Sequence, residues 1–124
     1  MTALCIIAGG VVGRIAAASF TLGWIHSIEK TPIEDAWVIE GNDLRVVESR
    51  IKGSGAGIEP GDNAWIEGGW IVWTPRSGTR TEIVLRRSGA PGTGDWTIYT
   101  NGRCVPLGSL VPDDADPVVL RACR

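Results

Sequence analysis

Apolar and polar residues alternate with a period of two along most of this chain, the spacing of half-buried strands rather than of helices. In the run 19–26, Phe20, Leu22, Trp24 and His26 fall on one side, with Thr21, Gly23, Ile25 and Ser27 on the other. In 35–40, Trp37 and Ile39 oppose Ala36 and Val38. The run 44–52 places Leu44, Val46, Glu48 and Arg50 on one face, and Arg45, Val47, Ser49 and Ile51 on the other. In 82–87, Ile83 and Leu85 point inward. Hairpins are predicted at Gly9-Gly10 between 3–8 and 11–16, at Gly68-Gly69 between 64–67 and 70–74, and at Asn101-Gly102 between 96–100 and 103–107. Pro32 pushes Thr31 into an extended conformation after a turn from Ser27. The pattern predicts an all-β fold, an antiparallel β-sandwich or partly open barrel of about nine short strands. One domain is expected over 1–111. Residues 112–124 read as a loose C-terminal tail, in which 118–120 is a candidate for a last docked strand.

Composition agrees with a folded domain. The chain has 124 residues, 44% of them hydrophobic and 21% charged, which excludes global disorder. Seventeen glycines and seven prolines fit many turns between short strands. Six tryptophans are an unusual load for so small a domain; most are expected in the core, where they dominate packing. Trp70 and Trp73 fall on opposite faces of one strand, so one of them is a candidate for exposure.

A net charge of −2 gives no field for nucleic-acid binding. The distribution is uneven, with acids crowded into 28–67 and Arg76, Arg80, Arg86, Arg87 and Arg103 gathered in 76–103. Cys5, Cys104 and Cys123 form no zinc spacing and no even set, so reduced cytoplasmic thiols are expected, with a Cys5–Cys104 bridge as the alternative for an exported chain. The apolar start has no basic residue before it and is broken by Gly9, Gly10 and Gly13. It is far short of the about 20 apolar residues of a membrane span, and reads as a buried hairpin rather than a targeting segment. No transmembrane segment, cofactor or metal site is expected.

The lone histidine, His26, ends an apolar strand face and is followed by Glu29, Lys30, Glu34 and Asp35, with Glu48 further on. A histidine with a carboxylate to orient it is the minimum for general-base chemistry. The competing reading is a hydrogen-bonded histidine that fixes a turn. After Arg50 and Lys52 comes Gly53-Ser54-Gly55-Ala56-Gly57. Glycines of this kind let backbone N–H groups converge on an anion, and the two cations add field. The stretch lacks the Lys-Ser/Thr of a phosphate loop, and a plain turned connection is the alternative.

Phe20-Thr-Leu-x-Trp-x-His26-Ser27-Ile-Glu29-Lys30, Glu34-x-x-Trp37, Glu48-x-Arg50-x-x-Gly53-Ser54-Gly55-Ala56-Gly57 with Pro60, Gly69-Trp70, Ser88-Gly89, Asp95-Trp96 and Gly102-Arg103-Cys104 together resemble the DUF1850 family, from about Leu4 to Leu107. That family has no assigned function. The resemblance implies an association with solute uptake, since its genes often lie beside those of TRAP-type transporters of the TAXI class, which import small organic acids. Members can carry a Cys four or five residues before the position of Cys104, where this chain has Tyr99. Many relatives have an apolar leader, whereas this chain begins close to its first strand, which favours an unexported form.

The resulting expectation is a small accessory or binding module, more a binder than an enzyme, cytoplasmic, with periplasmic or membrane-associated placement as the alternative. Its expected partner is a TRAP transporter subunit or a small organic anion, met through His26, Ser27, Glu29, Lys30, Arg50, Gly53, Ser54, Gly55 and Gly57. The rival readings are a small hydrolase or isomerase, in which His26 works with Glu29 or Glu48, and a structural protein–protein module with an exposed Trp patch.

Overall fold

The computed structural model describes residues 2–25, 31–53, 63–76, 78–87 and 95–124. Twelve strands run in chain order: β1 (Ala3–Ile7), β2 (Val11–Ala16), β3 (Ser19–Ile25), β4 (Pro32–Glu40), β5 (Asp43–Lys52), β6 (Trp65–Glu67), β7 (Trp70–Trp73), β8 (Thr79–Arg80), β9 (Glu82–Leu85), β10 (Thr97–Thr100), β11 (Arg103–Pro106) and β12 (Val118–Cys123). Among the described residues a 3-10 turn spans Leu107–Ser109. The strands form two open antiparallel sheets. The smaller has the order β2-β1-β12-β9; the larger runs β11-β10-β3-β4-β5-β7-β6, and β8 pairs with β5. This is the expected β-sandwich, with more strands than the periodicity showed.

The three hairpins form where the turn residues place them. Asn101 and Gly102 both adopt positive φ, 53° and 73°, the backbone of a tight two-residue turn that matches strand twist. The core lies between the sheets. Leu4 and Ile6 of β1, Leu85 of β9, and Val118 and Leu120 of β12 meet Phe20, Leu22, Trp37, Leu44 and Ile98 of the larger sheet. Phe20 and Trp37 are cross-strand partners, with near-parallel rings 6.4 Å apart.

Two expectations need correction here. The first concerns β5. Its register against β4 shifts at Val46–Val47: Trp37 faces Val46, but Ala36 faces Glu48 and Asp35 faces Ser49. This one-residue bulge reverses the alternation. Leu44, Val46, Ser49 and Ile51 therefore share the inner face with Asp35 and Trp37, while Arg45, Glu48, Arg50 and Lys52 lie outside. A strict period of two had put Glu48 and Arg50 with Leu44.

The second correction concerns the end of the chain. Residues 118–123 form β12 between β1 and β9, with Val118 and Leu120 fully buried, so the candidate last strand at 118–120 is docked and longer than expected, and the loose-tail reading does not hold for it. Cys123 lies diagonally across from Cys5, their Cα atoms 5.9 Å apart, and the two are joined in a disulfide. Two of the three expected thiols are thus bonded, and the partner of Cys5 is Cys123 rather than Cys104. Cys104 is free and exposed.

A buried arginine ties the approach to β12 onto the body. The Arg87 side chain is only 8% exposed. It donates two bonds to Asp95 and one each to the carbonyls of Pro112 and Ala115. Asp116 accepts from the Arg86 guanidinium and from the Arg87 backbone N–H, and Trp96 Nε1 donates to the Arg86 carbonyl. Burial works against ionisation of Asp95, but the bond from Arg87 and the N–H of Trp96 outweigh it and hold its carboxyl below the ordinary value.

Two outcomes follow for stability. Closing a loop of 118 residues is worth about 4–5 kcal/mol in the chain-entropy account. Reduction, or Cys123→Ser, should lower the urea-unfolding free energy by about that much, while Cys104→Ser leaves it unchanged; a thiol titration of the native protein should find only Cys104. Arg87→Ala leaves Asp95 and two carbonyls without their charged donor and should cost about 2–3 kcal/mol in the same measurement.

Candidate functional site

The end of the larger sheet where β3 stops and β4 starts gathers the described part of the expected site. Ile25 pairs with Pro32, Ile33 with Ile51, and Lys52 with Trp70, so the described ends of β3 and β5 lie at the same end of the sheet. His26, Ser27, Glu29, Lys30, Ser54, Gly55 and Gly57 lie outside the described residues. Arg50, Gly53 and Glu48 lie within them, with Glu48 and Arg50 on the outer face and Gly53 exposed just past β5.

Cross-strand pairing builds a polar cluster around Arg50. Glu34 of β4 is directly opposite, and Arg50 Nε donates to Glu34 Oε1 over 2.8 Å, with Nη2 donating to the same oxygen. The guanidinium carbon lies 4.6 Å from the centre of the Trp70 ring, and Lys52 Nζ approaches the same ring at 5.7 Å. Cation–aromatic contacts at such distances add about 0.5–1 kcal/mol at exposed sites. Arg50 is thus held in place yet keeps 41% of its side-chain surface open. Trp65 follows on β6, opposite Val72, with Nε1 directed at Glu67 of its own strand. On the other side, Gly23 pairs with Glu34, and a Cβ at Gly23 would come within 2.9 Å of Tyr99 Cε2. The absence of a side chain lets the Tyr99 ring lie over the strand. Burial raises the Tyr99 hydroxyl above its ordinary value, and the neighbouring Cys104 and Glu34 add to the effect.

The carboxylates expected to surround His26 are divided by the sheet. Glu34 and Glu48 lie outside, whereas Asp35 faces inward, where Ser49 Oγ donates to its Oδ1 over 2.6 Å. Burial pushes the Asp35 carboxyl above its ordinary value, and the Ser49 bond only partly offsets this. Trp37 is 7% exposed, and its Nε1 has no hydrogen-bond partner among the described residues. Asp35 therefore cannot act together with Glu34 or Glu48. Sequence reasoning named Arg50 but missed that Glu34 and Trp70 fix it; Arg50-x-Lys52 was a visible signal, while its partners come from other strands. The Asp35–Ser49 pair was hidden by the bulge.

The family model described as "Domain of unknown function (DUF1850)" matches residues 20–107. That span begins in β3 and ends at Leu107, so it takes in the whole larger sheet and β9, and leaves β1, β2 and β12 outside. No curated protein and no solved structure matches the chain.

A raised carboxyl pKa gives a definite pH dependence. The unfolded group ionises near 3.8 and the folded one higher, so the folded state holds the proton longer. The resulting penalty is absent below the unfolded value, grows as pH rises between the two values, and is complete above the folded one. Asp35→Asn keeps an acceptor for Ser49 and removes the charge. It should raise the urea midpoint at pH 7, with the gain shrinking to nothing near pH 3. A gain independent of pH contradicts this account.

Proposed function

The chain belongs to the DUF1850 family, and from that premise we propose that it is a small non-catalytic binding module for an organic anion, working as an accessory to a TRAP-type solute transporter of the TAXI class. The observation that carries the binding reading is Arg50. Its guanidinium is immobilised by Glu34 and Trp70, remains open to solvent, and stands beside Lys52 at the sheet end that leads to His26 and Gly53. A fixed guanidinium fork suits a carboxylate, and fixing it beforehand spares the entropy of ordering it on binding. Glu34 neutralises part of its charge, so Lys52 supplies the excess cation. The transporter partner follows from the family resemblance.

The Cys5–Cys123 disulfide favours an oxidising compartment such as the periplasm over the cytoplasm. Among the described residues no helix is long and apolar enough to cross a membrane.

Thermal shift and calorimetry with acetate, succinate and glutamate test the binding reading. A carboxylate present at 100 times its dissociation constant should stabilise the protein by about 2.7 kcal/mol. Arg50→Ala should abolish the shift, and Trp70→Leu should weaken it. Binding that is indifferent to Arg50→Ala rejects this site. A failure of every carboxylate to bind rejects the anion reading itself.

A further inference from the structure

The face of the smaller sheet turned away from the core carries an apolar row. Leu4 and Ile6, Val118 and Leu120, and Ile83 and Leu85 point into the core, so the residues between them on β1, β12 and β9 point out. Residues directly opposite each other in an antiparallel pair share a face. Val11 is opposite Ile7, Ile7 opposite Val119, and Val119 opposite Val84, so these four form one line across all four strands. Its two ends are open, with Val11 67% and Val84 51% exposed. A solvated sheet face ordinarily carries polar residues at such positions. Cys5 and Cys123 point out on the same face, and their disulfide ties the two central strands together there.

Ion pairs of opposite order flank the row. On one side, Arg121 of β12 meets Glu82 of β9 at 2.7 Å. On the other, Arg86, just past β9, meets Asp116, just before β12, at 3.0 Å. The cation is on the β12 side in the first pair and on the β9 side in the second.

We propose that this face packs on the same face of a second copy of the chain, in a two-fold dimer whose axis runs along the apolar row. Such a rotation lays row on row and exchanges the two flanks. Arg121 of one copy then stands over Asp116 of the other, and Glu82 over Arg86. Every charge keeps the partner it already has and gains an opposite charge across the interface, so none is buried unpaired. Two-fold symmetry asks only that one patch be complementary to itself, and the reversed order of the two pairs supplies that. The apolar row drives association, while the ion pairs fix its orientation. Face-to-face packing of sheets at about 10 Å, with strands within about 30° of each other, suits such a platform. A net charge of −2 opposes self-association only weakly. Four strands and about five residues give a face of roughly 19 by 17 Å. That is at the small end of interfaces, so a weak dimer is expected, with a dissociation constant on the order of 10–100 μM.

Sedimentation velocity of the full, disulfide-bonded chain over a range of concentrations tests the proposal. The sedimenting species should pass from one chain to two as concentration rises. Val11→Lys and Val84→Lys place an unpaired charge in the row, at positions open enough for the single chain to hold it, and should each weaken the dimer at least about tenfold. Ile66→Lys, at an exposed apolar residue of the other sheet, should leave it unchanged. Glu82→Arg and Arg86→Glu each set like charges against each other across the interface twice, and each alone should weaken the dimer about tenfold. An equimolar mixture of these two variants restores both opposite-charge contacts and should dimerise more tightly than either variant by itself. A chain that stays monomeric at every concentration overturns the proposal and leaves the face to a different partner. Loss of the dimer with Ile66→Lys but not with Val84→Lys places association elsewhere and overturns it too. A mixture no tighter than its components rejects the two-fold arrangement.

Discussion

The bulge in β5 is the constraint on which the polar architecture depends. Before it, Leu44 and Val46 face the core; after it, Ser49 and Ile51 do, and Glu48, Arg50 and Lys52 are turned to the outer face. Without the extra residue, Glu48 and Arg50 would lie between the sheets, where each unpaired charge carries a desolvation penalty of several kcal/mol. The polarity of 48–52 thus demands the irregularity, and one backbone defect resolves the conflict between a period of two and a charged half-strand. The same defect sits where β5 passes from pairing with β8 to pairing with β7.

Closure of the sandwich depends on a more distant contact. β12 lies between β1 and β9, joined to the first by pairing and a disulfide and to the second by pairing that includes the Arg121–Glu82 ion pair. Arg87 gathers Asp95 and the carbonyls of Pro112 and Ala115 just before that strand. Since Asp95 and Asp116 are both held below their ordinary values by arginines, this staple is complete above the unfolded carboxylate range, weakens once the pH drops below it, and is lost as the pH falls through the lower folded values. The family match stops at Leu107, so it covers the sheet that carries Arg50 but not the strand that closes the core.

What could be read from the sequence was local. Gly9-Gly10, Gly68-Gly69 and Asn101-Gly102 announce hairpins because the turn chemistry lies in the residues themselves, and Phe20-x-Leu22 and Trp37-x-Ile39 declare their buried faces by alternation. The bulge was hidden because Val46 and Val47 are both apolar and either suits a core face; only pairing with β4 decides between them. β12 was legible only as a short candidate at Val118-x-Leu120, because so brief a pattern after an Asp- and Pro-rich run fixes neither its length nor its partners, which come from the far end of the chain and from β9. Three cysteines permit three pairings, and nothing local chooses Cys123 for Cys5. For the site, Arg50 was legible as a cation before a glycine run, whereas Glu34 and Trp70 reach it only through register.

At the proposed site, immobilisation and neutralisation pull in different directions. Arg50 is tied to Glu34 and packed on Trp70, so little freedom is lost when it meets a ligand, but Glu34 compensates part of its charge; Lys52 must supply the remaining attraction. Arg50 is therefore suited to recognise the shape of one planar acid group. The attraction supplied by Lys52 is an exposed, screened one, so affinity at this site must fall as salt rises.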